Sequence, residues 1–391
     1  MGISRAFVGL LVVATAAGCA TAQPATSPTP PAASPPPVSF DPYVGAYRTD
    51  GGVTLVVNGH GHLFNLADDT IRQLYAGADH FTVGPAFQVE RPRQADVAFH
   101  LSGPRADRLT ETPVRGTPLA AARLPFKETD VTVHAQGADL AATVTEPLGP
   151  GPHPGIVIVH GSGYGPRIDY GLWVGLYADL GFTVLAYDKR GNGRSTGAYP
   201  GEAATAENLG IYADDAAATL RFLSAWPGVD PHRVGYHGGS QGGWVVPLAL
   251  RRFPAAAFAV LVSGPAVSVG QQGLWADLAA GSSPRPAPSI MAELRASGGG
   301  YDPAPVLAAT TQPVLWLNGE IDHNVPTALN TEILHGLARP NFEVQVLPGV
   351  DHGLLENPPG GDDARAGRLA TGLFDRIATW LAAHAGGAPR P

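Results

Sequence analysis

Ser240 stands in Tyr236-His237-Gly238-Gly239-Ser240-Gln241-Gly242-Gly243, between a short apolar strand and a helix-forming stretch. A serine at a sharp strand-to-helix turn is held in a strained backbone conformation with its Oγ exposed. The small residues of Gly238-x-Ser240-x-Gly242 let the chain pass without clash. A serine hydroxyl is a weak nucleophile until a base takes its proton. His352, in Gly349-Val350-Asp351-His352-Gly353 just beyond an apolar run, is the candidate base. Asp322, just after the run 315–318, is the candidate partner of the other imidazole nitrogen, where a carboxylate fixes the tautomer and stabilises the imidazolium. Glu320, closer to the strand end, and Asp351 compete for that role.

Attack on an acyl carbon creates an oxyanion that needs preorganised donors. The backbone N–H of Gln241 opens the helix after the turn, so the helix dipole adds to it. A second donor is expected from the loop after the run 155–159, at Gly161 or Ser162 in His160-Gly161-Ser162-Gly163, for which a plain tight turn is the alternative reading. This chemistry requires no cofactor. His60-x-His62 has the spacing of two same-face strand ligands, but beside a turn it is read as an exposed pair, and no metal is expected.

These groups must be positioned by a chain of 391 residues with 25 basic and 33 acidic side chains, a net charge of −8. No basic cluster occurs, which argues against a nucleic-acid partner, because phosphate binding needs a concentrated positive surface. Arg5 precedes an apolar run at 6–17, too short to span a bilayer but suited to a secretory leader. The run ends in Ala16-Ala17-Gly18-Cys19, similar to a bacterial lipobox, and Cys19 is the single cysteine of the chain. A leader over 1–19 with lipidation of Cys19 is expected; cleavage after Ala20-Thr21-Ala22 (a leader over 1–22) is the alternative. Both imply export, to the cell surface or periplasm as a lipoprotein or as a secreted protein. Residues 20–38, rich in Pro, Ser, Thr and Ala, read as an extended spacer.

From 39 to 123 the pattern is short strands and turns, with Asn58-Gly59 as a hairpin signal, and a small antiparallel barrel or sandwich is expected. From 124 to 387, a hairpin at 130–134 and 140–145 is followed by alternating strands and helices. The near-continuous apolar runs at 155–159, 182–187, 258–262, 313–317 and 342–347 fit strands buried on both faces, with helices at 206–226 and 368–384. This predicts a doubly wound, mostly parallel α/β sheet, whose reactive groups collect at the carboxyl ends of strands. Residues 268–311 fall outside the sheet pattern and read as a small cap, whose Trp275, Leu278, Ile290, Met291 and Leu294 either line an acyl pocket or pack the cap onto the body.

The segment from about 126 onward resembles an α/β-hydrolase, closest to bacterial serine esterases and prolyl-oligopeptidase-like serine hydrolases with an N-terminal extension. The resemblance is carried by His160-Gly161-Ser162-Gly163, Asp188-Lys189-Arg190-Gly191-Asn192-Gly193-Arg194-Ser195, Gly238-Gly239-Ser240-Gln241-Gly242, Gly319-Glu320-Ile321-Asp322 and Asp351-His352-Gly353, in family order. It implies a Ser-Asp-His triad of Ser240, Asp322 and His352, and Gly319-x-x-Asp322 followed by Val325-Pro326 matches the family's acid loop. The 188–195 loop is expected to be structural, braced by an ion pair of Asp188 with Arg190 or Arg194. The function implied is hydrolysis of carboxylic esters through an acyl-enzyme, acting on a small-molecule ester or acyl substrate. A peptidase of the prolyl-oligopeptidase type and a non-catalytic surface-binding lipoprotein are the alternatives.

Overall fold

The computed structural model describes residues 39–279, 288–356 and 368–386. Cys19, the leader and the spacer lie outside the described residues. Among those described, no helix is long and apolar enough to cross a membrane.

The N-terminal unit is one nine-stranded antiparallel sheet: β1 (Gly45–Thr49), β2 (Thr54–Val57), β3 (His62–Asn65), β4 (Thr70–Gln73), β5 (Tyr75–Ala76), β6 (Phe81–Val83), β7 (Ala95–Ser102), β8 (Arg105–Pro113) and β9 (Leu119–Arg123), ordered β4-β3-β2-β1-β9-β8-β7-β6-β5. It encloses Tyr47, Leu55, Val57, Leu63, Val83 and Val97. The β2–β3 loop is longer than an Asn-Gly turn. Asn58 Oδ1 accepts the His60 and His62 amides, and Gly61 takes a positive φ of 72° to close the loop. In β2, alternation sends Leu55 and Val57 into this core and Val56 out of it, yet Val56 is also fully buried. It meets α1 (Gly171–Asp179) at Gly175, where a Cβ would lie 2.8 Å from Val56 Cγ2. The β unit is therefore packed onto the α/β body through a contact that only glycine permits.

The second sheet holds β10 (Lys127–Ala135), β11 (Ala138–Glu146), β12 (His153–Val159), β13 (Thr183–Tyr187), β14 (Val229–Gly239), β15 (Phe258–Val262), β16 (Val314–Gly319) and β17 (Phe342–Leu347). Their order is β10-β11-β13-β12-β14-β15-β16-β17, antiparallel as far as the β11–β13 pair and parallel thereafter. Helices cover both faces. Ile156 and Ile158 of β12 join the core under α1 and α8 (Leu373–His384), while Val157 and Val159 join the core under α2 (Ala206–Ser224) and α3 (Gly242–Arg252). Double-sided burial is why these strands read as unbroken apolar runs. The fold class is the one expected from the sequence.

Two details differ from that expectation. Helix α1 gave no distinct signal, and α8 starts at Leu373, not at 368. Residues 368–372 instead return to the β unit: Leu369 N–H donates to Asp69 O, and the Asp69 carboxylate accepts the amides of Gly372 and Phe374 at the start of α8. A carboxylate there satisfies helix donors and favours the positive end of the dipole.

The cap consists of α4 (Val269–Ala279), α5 (Pro288–Ala296) and α6 (Ala304–Ala309), followed after β16 by α7 (Thr327–Gly336). Trp275, Ala279 and Leu294 are buried with Val267 and Leu329, and Ile290 and Met291 pack against them. Of the two roles open to these side chains, the structure gives them packing.

Candidate active site

Ser240 follows β14 directly and has φ of 51°, the strained left-handed turn expected of it. Its amide is held by Val262 O at 3.0 Å. The space around the turn is not shared evenly by its glycines. A Cβ on Gly238 would lie 2.8 Å from Val246 Cγ2, and one on Gly243 would lie 2.6 Å from Pro265 N. One on Gly242 would meet nothing nearer than 3.8 Å. Gly243, outside the pentapeptide, is thus a more stringent requirement than Gly242.

His352, in the loop after β17, places Nε2 at 3.0 Å from Ser240 Oγ and Nδ1 at 2.7 Å from Asp322 Oδ2. A carboxylate only accepts, so Nδ1 carries the hydrogen and Nε2 is free to accept from the serine hydroxyl. Burial works against protonation of His352, but the charge and hydrogen bond of Asp322, with Asp351 behind, raise its pKa above the ordinary histidine value. Asp322 is fully buried; its Oδ1 takes the amides of Asn324 and Val325 at 2.7 and 2.8 Å, and its carbonyl takes Trp275 Nε1–H at 3.0 Å. Glu320, its competitor, instead accepts the Gly349 amide at 2.9 Å and braces the histidine loop. Asp351 does the same from within, accepting Leu355 N–H at 2.9 Å, and burial raises its pKa.

Ser240, His352, Gln241, Gly161 and Ser162 line one cavity of about 1070 Å³, together with Tyr199, Glu202, Trp244, Val269, Gln272, Ala276, Asp277 and Val325. The α4 residues that line it, Val269, Gln272, Gly273, Ala276 and Asp277, fall on the helix face beside the one that buries Trp275 and Ala279. Both loop residues proposed from sequence as donors, Gly161 and Ser162, line the cavity. Gly161 N–H donates to Tyr170 Oη at 3.3 Å, and Gly163 N–H donates to Glu202.

The 188–195 loop is braced, but not by the expected pair. Asp188 accepts from the Arg167 side chain at 2.7 Å and from the backbone amides of Arg167 and Arg194 at 2.8 Å. Arg190 turns instead to the buried Asp215 of α2, making a two-pronged pair, and the Arg194 side chain reaches Asp130 at 2.9 Å. Burial is the reason: Asp215 lies inside the body and needs a cation from its own side of the sheet. Sequence reading gave Lys189 no role of its own within the 188–195 block, and it missed Glu202, which carries no periodic or motif signal.

Three further histidines sit in contacts away from Ser240. His237, buried on β14, contacts Tyr177 Oη at 2.8 Å, and burial holds its pKa down to about 3. His60 pairs with Asp169 at 3.2 Å, while His62 is not exposed as expected but packs edge-on against Phe87, with burial lowering its pKa to about 4. Among the described residues, no three His, Cys, Asp or Glu side chains converge as metal ligands. A second cavity, of about 610 Å³, lies between the β unit and the body; its Arg105, Arg167 and Arg194 are each paired with acids of its own wall.

A family model described as serine aminopeptidase, S33, matches residues 151–298. An uncharacterized protein of Mycobacterium tuberculosis is 31% identical over 241 residues, 60% of this chain and 75% of that protein, and the same match recurs in two strains. Among solved structures, the Pyrococcus furiosus esterase Pf2001 is 17% identical with a TM-score of 0.47, covering 67% of this chain and 94% of its own. The 2,6-dihydroxy-pseudo-oxynicotine hydrolase is 19% identical with a TM-score of 0.47, covering 67% of this chain and 68% of its own. The sheet order, the family model and the relative covered over most of its length agree, and the chain belongs to the α/β-hydrolase superfamily.

Proposed function

We propose that this protein is a serine hydrolase that cleaves carboxylic esters through an acyl-enzyme on Ser240. The observation that carries the reading is the chain of contacts from Ser240 Oγ to His352 Nε2 at 3.0 Å and from His352 Nδ1 to Asp322 Oδ2 at 2.7 Å, at the floor of one cavity. In this mechanism His352 takes the serine proton as Oγ attacks the acyl carbon, and Asp322 stabilises the imidazolium. The tetrahedral oxyanion is received by the amides of Gln241 and Ser162. His352 then gives its proton to the leaving alcohol, and water activated by His352 releases the acid. The test is labelling of the wild type and of Ser240→Ala with a fluorophosphonate, beside turnover of esters of graded acyl length. Label retained by Ser240→Ala would remove the nucleophile assignment.

The peptidase reading is favoured by two carboxylates on the cavity wall, Glu202 and Asp277, which would suit a free amino group, and by the aminopeptidase description of the matching family model. It ranks second because Glu202 already holds the Gly163 amide. Amide turnover without ester turnover would reverse the order. We also propose export with lipid attachment at Cys19, on its place after the apolar leader. Loss of radiolabelled fatty acid in Cys19→Ala is the expected result.

A further inference from the structure

Lys189 follows β13, and its side chain runs inward: the residue is 2% exposed. A buried ammonium is costly unless its hydrogens are accepted. Its Nζ donates to Gly161 O at 3.0 Å, to Gly163 O at 3.3 Å and to Gln241 Oε1 at 3.4 Å. The ring of Tyr212 covers it from 4.4 Å. Among the described residues, no carboxylate lies within ion-pair distance of it. The cation is held by backbone carbonyls and an amide, an arrangement that organises a loop more than it neutralises a charge.

Both amides proposed to receive the oxyanion belong to the segments that Lys189 ties together. Ser162 lies between the two carbonyls it binds, and Gln241 is the residue whose side chain it binds. The two segments leave the neighbouring strands β12 and β14, which pair in parallel as far as Val159 and Gly238. Beyond that register the Lys189 ammonium bridges them, from the Gly161 and Gly163 carbonyls to the Gln241 side chain. Around Ser162 the other backbone groups are engaged as well: Gly161 N–H with Tyr170 and Gly163 N–H with Glu202. We propose that Lys189 is the positioning residue of the oxyanion hole, its ammonium holding the Ser162 and Gln241 amides at the separation the tetrahedral intermediate needs. This rests on the reading of Ser240 as nucleophile.

The proposal has a pH signature. Burial pushes the Lys189 pKa down to about 8, and Glu202 opposes that shift. The charged and titratable groups around it are few in kind. Just after β12, His160 is kept neutral by burial and by Lys189 itself, with its Nε2–H on Tyr187 O at 2.6 Å. Tyr199 and Tyr212 present rings, and the turn after Ser240 presents the uncharged Gln241. On its own loop, Asp188 faces Arg167 and Arg190 faces Asp215. As pH rises through about 8 the ammonium loses its proton and its grip on the carbonyls weakens, so kcat falls on the alkaline side.

The experiment measures kcat and KM of the full chain for p-nitrophenyl butyrate from about pH 6 to 10, for wild type, Lys189→Met and Lys189→Arg, with thermal melts and fluorophosphonate labelling. Expected are a wild-type kcat that declines above about pH 8 and a roughly hundredfold kcat loss in Lys189→Met with KM little changed. Lys189→Arg, charged at every pH, keeps part of the activity and lacks the alkaline decline. Where Lys189→Met does not fold, the wild-type and Lys189→Arg profiles decide. Wild-type kcat in a folded Lys189→Met, or a wild-type kcat flat to pH 10, overturns the proposal alone. A wild type that takes no label and turns over neither ester nor amide overturns the hydrolase reading, and the proposal with it.

Discussion

Trp275 of the cap donates its indole N–H to the carbonyl of Asp322 at 3.0 Å, from a position 2% exposed to solvent. The acid loop is thereby tied to the cap as well as to the sheet, and the wall of the cavity and the triad geometry share one support. Trp275→Phe keeps most of the packing and loses the bond. It is expected to cost about 1 kcal/mol of stability and to lower kcat more than it raises KM. Trp275→Ala opens a cavity and is expected to cost about 3–5 kcal/mol. Denaturant titration beside steady-state kinetics measures both.

The assignment of Asp322 over Glu320 is tested by paired substitutions. Asp322→Asn keeps one oxygen for the Asn324 and Val325 amides and turns an NH2 donor towards His352 Nδ1, which imposes the wrong tautomer and is expected to lower kcat by about 10⁴. Glu320→Gln keeps an oxygen for the Gly349 amide and is expected to cost no more than about tenfold, through a looser histidine loop. Equal losses in the two variants would contradict the assignment.

His352 must be neutral to accept the serine proton, and its pKa is raised by Asp322 and Asp351 against the effect of burial. Activity is therefore lost as pH falls through a value above the ordinary 6.5 for histidine. The acid limb of kcat/KM is expected there, and Asp322→Asn, which removes the raising charge, should shift it downward. A pH–rate profile of both proteins checks the sign.

The second oxyanion donor proposed above is the backbone amide of Ser162, and a backbone donor makes no use of the serine side chain. Ser162→Ala is expected to retain kcat within about threefold, whereas a lost donor costs about 10²–10³. Tyr170→Phe leaves the Gly161 amide without its partner and should lower kcat with little change in KM, read by the same ester assay.

Glycine demand at the elbow gives a stability prediction. Gly243→Ala forces a Cβ against the Gly264–Pro265 backbone, which has no flexible end to yield, and is expected to destabilise by about 1–3 kcal/mol or more. Gly242→Ala meets only ordinary contacts and is expected to be nearly neutral in a thermal melt.

Most of the architecture was legible in the residues. The run at 258–262 coincides with β15, because a strand buried on both faces shows an unbroken apolar pattern, and the run at 342–347 coincides with β17, an edge strand whose apolar residues alternate with Glu343 and Gln345. Helix α1 was not legible, since it is apolar on nearly every side where the β unit meets the body. The start of α8 was misplaced for a related reason: the Asp69 carboxylate, some three hundred residues away, caps it.

At the site, residue types and order by themselves picked out the three side chains that the fold brings into contact. A serine at a strand-to-helix turn, followed by an aspartate and a histidine each just past an apolar strand, was legible because each signal is local to a few residues. What the tertiary structure decided are the pairings: Asp188 with Arg167, Glu320 with the histidine loop, and Lys189 with two carbonyls and Gln241. Those partners are backbone groups and side chains from separate strands, and a buried charge takes whichever acceptors the packed sheet brings within reach. Sequence spacing carries no trace of that distance, so only the folded chain could show it.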